Sequence, residues 1–86
     1  MKYTIIVFNS RTDTMRFFKI IQNYGLFCSV INTPRLLSKS CGVSVKIDSR
    51  LISQSLNVIK SNRFTTFQGV YQIELFAGIE RANKLF

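Results

Sequence analysis

The sequence predicts an α+β fold, a four-stranded antiparallel sheet with two helices on one of its faces. Three observations predict it. Period-two or near-continuous apolar patterning marks four strand segments, helical periodicity marks two more, and the segments follow the order β-α-β-β-α-β.

The first segment, Lys2-Tyr3-Thr4-Ile5-Ile6-Val7-Phe8, is β-branched and aromatic, as a central strand buried on both faces requires. It ends at Asn9-Ser10. The period then changes. Met15, Phe17, Phe18, Ile20, Ile21 and Tyr24 form an apolar helical stripe, with Arg16, Lys19 and Gln22 on the wet side. Thr12 or Asp13 is placed to cap this helix, and Gly25 to stop it after about three turns. Phe27 to Ile31 reads as a short second strand closed by Asn32-Thr33-Pro34. From Val43 to Asp48 the alternation is strict, Val43, Val45 and Ile47 facing a core and Ser44, Lys46 and Asp48 facing water. Asp48 or Ser49 then caps a second helix bearing Leu51, Ile52, Leu56 and Ile59 and ending near Asn62. Thr66 to Leu75 alternates again, Phe67, Tyr71, Ile73 and Leu75 against Gln68, Gln72 and Glu74, with Gly69 placed for a bulge.

Right-handed crossovers fold this order into a ferredoxin-like sandwich whose second sheet face stays partly open. Residues 1–75 make up that domain. In the tail, residues 76–86, Phe76, Ile79, Ala82 and Phe86 are spaced as in a short amphipathic helix.

Eighty-six residues hold one modest core without help from disulfides or a metal. The longest apolar run, Ile5 to Phe8, is far short of the roughly 18 residues of a membrane span or the 7 to 15 or so of a secretory signal. The expectation is a mature, soluble, cytoplasmic chain with no membrane span. Twelve Lys and Arg against four Asp and Glu give a net charge of +8, a field that attracts anions. The cations are scattered, with no basic run of the kind a nucleic-acid arm carries. The wet face of the third strand also lacks the aromatic stacking platform of RNA-recognition folds, so nucleic acid is not the expected partner.

There is no histidine, which removes the commonest general base and the commonest zinc ligand together. No metal and no cofactor is expected. Cys28 and Cys41 lie thirteen positions apart without a C-x-x-C motif and read as two separate thiols. Chemistry, if the chain has any, is thiol chemistry or anion binding.

The stretch TPRLLSKSCGVSVKID, residues 33–48, is where such chemistry would sit. Asn32 to Gly42 is a long connection for a hairpin. Thr33-Pro34 has the form of an N-cap followed by proline at the first helical position, so Arg35 to Lys39 is expected to make a turn or two of helix, stopped by Gly42. Arg35 and Lys39 then share a face. Their charges would favour a thiolate at Cys41, against the opposing dipole at the end of so short a helix. Ser38 and Ser40 add hydroxyl donors, and Gly42 leaves the sulfur open to approach. Two readings of Cys41 stand side by side, a small buried residue at a turn or a nucleophile in a cradle for anionic sulfur. Cys28, inside a strand, reads as a packing residue.

The combination of IIVFNS with Thr33, Pro34, Arg35, Ser38, Ser40, Cys41 and Gly42 ahead of a second helix resembles a small bacterial family, the Se/S carrier-like proteins, over about residues 2 to 75. The resemblance implies a carrier rather than a turnover enzyme. Cys41 would hold sulfur or selenium as a persulfide or selenide, with Thr33, Pro34, Arg35, Ser38, Lys39, Ser40 and Gly42 as binding or stabilising residues, and donor and acceptor proteins as partners. The basicity and the 76–86 tail are not part of that pattern. Two other functions fit the same frame: a non-catalytic regulatory or assembly module, acting as a homodimer, and RNA binding on the basic surface.

Overall fold

A computed structural model of the chain describes residues 1–37 and 41–86. The apolar run near the N-terminus dictates its centre: strand β1, Lys2–Phe8, is buried from Thr4 to Phe8 and lies between two neighbours. Helix α1, Arg11–Asn23, begins at Ser10, whose side chain accepts a hydrogen bond from the Asp13 N–H at 3.2 Å. The cap therefore precedes Thr12, because Asn9-Ser10 already leaves the strand and Thr14 is needed on the buried face. Tyr24 closes the helix and Gly25, at φ +76°, takes the left-handed conformation beyond it.

Strand β2, Cys28–Asn32, is followed by a single 3-10 turn, Arg35–Leu37, and then by β3, Val43–Ile47. Asp48 caps a second 3-10 turn, Ser49–Leu51, which runs directly into α2, Ile52–Ser61. Strand β4, Phe67–Phe76, carries a bulge at its start, where the register against β1 shifts between Val7 and Phe8.

The tail is a strand. Ala77 and Gly78 both have positive φ, +51° and +78°, so the chain reverses in a two-residue hairpin and returns as β5, Ile79–Lys84. This corrects the expected helix over residues 76–86: a left-handed pair at 77–78 cannot sit within a helix, and Ala82 packs against the sheet opposite Ile73. It also corrects the expected four-stranded sheet. The sheet has five strands, in the order β2-β3-β1-β4-β5, and every pairing is antiparallel.

Both helices pack on one face of the sheet. There Phe17 and Ile21 of α1 and Val58 and Ile59 of α2 meet Ile6, Phe8, Val45, Ile47 and Val70. Phe8 is the hub, with its ring centroid 5.4, 5.1 and 5.8 Å from those of Phe17, Phe64 and Phe67. The opposite face is less open than expected. Ile5, Val7 and Ile73 are fully buried there beneath Tyr3, Ile31, Leu37, Tyr71 and Ala82. Ser44, expected to face water, is also fully buried, because its hydroxyl is bonded to that of Thr33 at 2.6 Å. The 3-10 turn Arg35–Leu37 thus lies over this face and packs against β5. Among the described residues no helix is long and apolar enough to cross a membrane.

Candidate functional site

Cys41 sits where the end of β1, the start of α1 and the start of β3 converge. Its N–H points to the Phe8 carbonyl at 3.5 Å. Its sulfur lies 3.2 Å from the Val43 carbonyl oxygen and 3.4 Å from Thr14 Oγ1. Thr14 is in the first turn of α1 and fully buried, and its hydroxyl is also 3.0 Å from the Ser10 carbonyl oxygen, to which it donates. The thiol is half-buried, and both cysteines are free.

The Thr14 hydroxyl and the Cys41 thiol carry one proton each, and this limits what the group of bonds can do. With the thiol protonated, S–H donates to the Val43 carbonyl while Thr14 donates to Ser10. An anionic sulfur has nothing to give Val43 and needs a donor, which Thr14 supplies by turning its O–H from Ser10 to the sulfur. The first turn of a 13-residue helix adds the partial positive charge of its backbone N–H groups. The dipole weighed in the sequence is that of a short helix over residues 35–39; of that segment the described residues form one 3-10 turn, Arg35–Leu37.

The residues expected around Cys41 are distributed as follows. Thr33 closes the base of the connection: its N–H donates to the Gly42 carbonyl at 2.9 Å and its hydroxyl pairs with Ser44. Pro34 opens the 3-10 turn, its carbonyl accepting from the Leu37 N–H at 2.9 Å. Gly42 has φ +93°, a conformation that disfavours any side chain, and among the described residues nothing lies within 4 Å of where a Cβ would stand. Arg35 is on the 3-10 turn, and among the described residues the hydrogen-bond partners of the Cys41 sulfur are Thr14 and Val43. Ser38, Lys39 and Ser40 lie outside the described residues. Thr14 escaped the sequence reading, since it is far from Cys41 along the chain, and Ser10 entered it only as the end of the first strand and of IIVFNS. The signal that could have found Thr14 is a polar residue on the buried face of an otherwise apolar helix.

Cys28 contrasts with Cys41. It is held against the main core with its thiol 3.9 Å from the Phe18 carbonyl, and burial pushes its pKa up.

The end of IIVFNS and Cys41 of the second stretch, remote in sequence, thus meet at one corner of the fold. The family model described as "Putative Se/S carrier protein-like" matches residues 2–72, most of the chain. The chain belongs to this family. Within the Se/S carrier-like family match lie both helices, the first three strands and the Cys41 corner, whereas β5 lies wholly beyond it. No curated protein and no solved structure matches the chain.

Proposed function

We propose that this chain carries sulfur or selenium on Cys41, receiving the atom from a donor protein and passing it to an acceptor. The observation that carries the reading is the position of the Cys41 sulfur, half-buried beside the first turn of α1, with the Thr14 hydroxyl 3.4 Å away in a chain of the Se/S carrier-like family. The Cys41 thiolate attacks the outer sulfur of a donor persulfide. A new S–S bond forms on Cys41, the donor S–S bond breaks, and the donor leaves as a thiolate. Delivery repeats the exchange, an acceptor nucleophile taking the outer atom and Cys41 departing as the leaving thiolate. The electrons balance without an added oxidant or reductant. No general base is required, because the thiolate is itself the nucleophile.

Around the sulfur, Thr14 and the first turn of α1 stabilise negative charge, and Gly42 holds the approach open. Thr33 and Pro34 fix the start of the connection, while Arg35, Ser38, Lys39 and Ser40 offer cations and hydroxyls to an anionic adduct or to the partner that delivers it. We read the four strands ordered β2-β3-β1-β4, with a helix in each crossover, as a ferredoxin-like unit to whose edge β5 has been added.

The test is intact-protein mass spectrometry after incubation with a cysteine desulfurase and cysteine. The expected result is a reductant-sensitive gain of one sulfur in the wild type and in Cys28→Ser, and none in Cys41→Ser. A gain that survives Cys41→Ser and disappears in Cys28→Ser would sink the assignment.

A further inference from the structure

The free edge of the sheet at β5 is matched to itself. In a two-residue hairpin the residues flanking the turn, here Phe76 and Ile79, form a hydrogen-bonded pair. By alternation Ile79, Arg81 and Asn83 direct their backbone groups toward β4. Glu80, Ala82 and Lys84 direct theirs outward, along an edge with no neighbour in the sheet order.

We propose that the occupant of this edge is a second copy of the chain, paired antiparallel through β5 about a two-fold axis at Ala82. Ala82 then faces its symmetry mate, and Glu80 of each copy lies opposite Lys84 of the other. The charges fit. Among the described residues Asp13, Asp48 and Glu74 each have an ion-pair partner in Arg16, Arg50 and Lys2, and Glu80 is the acid without one. Opposite charges facing each other across strands stabilise a pair and like charges destabilise it.

The same axis joins the apolar ends of the edge. Ile79, 58 % exposed beside Phe76 at 81 %, falls opposite Leu85 of the second copy, 40 % exposed and followed by Phe86 at 58 %. The apolar surface of each hairpin tip is thereby covered by the chain end of the other. Other axes fit poorly. An axis through Glu80, Arg81 or Lys84 sets like charges face to face, and one through Asn83 leaves Glu80 and Lys84 without opposite charges. The interface lies outside the residues that the family model matches. It stands independently of any role for Cys41.

Light scattering on the full chain after size exclusion, over rising concentration, tests the proposal. Wild type is expected to reach twice the mass of one chain. Glu80→Lys and Lys84→Glu are each expected to remain at one chain mass with unchanged circular dichroism. Mixing the two variants restores the doubled mass, since both lysines of the first variant then face a glutamate of the second. A wild type that stays single, single variants that still pair, or a mixture that does not recover would each overturn it.

Discussion

At the scale of single residues, Thr14 decides what the Cys41 sulfur can be. It is the buried residue of the first turn of α1, and its one proton goes to the Ser10 carbonyl or, for an anionic sulfur, turns to the sulfur. Replacing it by valine keeps the shape and removes the donor. A hydrogen bond worth about 1 kcal/mol corresponds to roughly a fivefold change. Thr14→Val is therefore expected to slow iodoacetamide alkylation of Cys41 about fivefold, with Thr14→Ser near wild type and Cys28 unchanged as the internal reference. Peptide mass spectrometry of a time course reads all three, and equal slowing of both cysteines would point to a general change in the fold instead. Thr33, Cys41 and Gly42 drew notice together in the sequence because they lie on one connection, and in the fold the Thr33 N–H meets the Gly42 carbonyl. The Thr14 partnership was not, because only the docking of α1 beside the end of β1 brings it to the sulfur.

At the scale of elements, the start of α2 and the start of β4 carry separate consequences. Asp48 accepts from the Arg50 guanidinium at 3.1 Å and from its N–H at 2.9 Å, and these bonds, the side-chain bond foremost, hold its carboxyl below the usual range. A depressed folded-state pKa contributes stability above the unfolded carboxyl's value of about 3.9, and the contribution is lost as pH falls through the lower folded value. Melting curves should show wild type losing more stability than Asp48→Asn as pH falls below about 4. The cap itself was legible, because Asp48 directly precedes a helical pattern. On β4, a Cβ at Gly69 would stand 2.7 Å from the Phe86 carbonyl oxygen and 2.9 Å from Lys84 Cε. Gly69→Ala is expected to cost about 1 to 3 kcal/mol in urea unfolding by displacing the chain end. The same substitution in a chain lacking residues 85–86 should cost less. Gly69 drew notice in the sequence as a bulge residue, yet its reason lies in the returning chain end, which a helical reading of the tail put elsewhere.

At the scale of the whole molecule, β5 links the far edge of the sheet to the Cys41 connection. Leu37 and Ala82 both pack on the cluster of Ile5, Val7 and Ile73. Ending the chain after Phe76 removes Ala82 and bares the edge of β4. The expected loss is about 2 kcal/mol of stability, the burial of one Ile-sized side chain. Alkylation of Cys41 should rise relative to Cys28 in the same molecules, because the connection loses its support on that face. An unchanged ratio would show that β5 does not steady the connection. Local pattern was enough for the two helices, the first four strands and the unpaired thiols, since each rests on periodicity, a cap or a spacing. It took the folded chain to make the tail a fifth strand, to bury Ser44 and to set the sulfur beside Thr14. Those outcomes depend on partners brought together by sheet pairing and helix docking, and neither is written in the pattern of one segment.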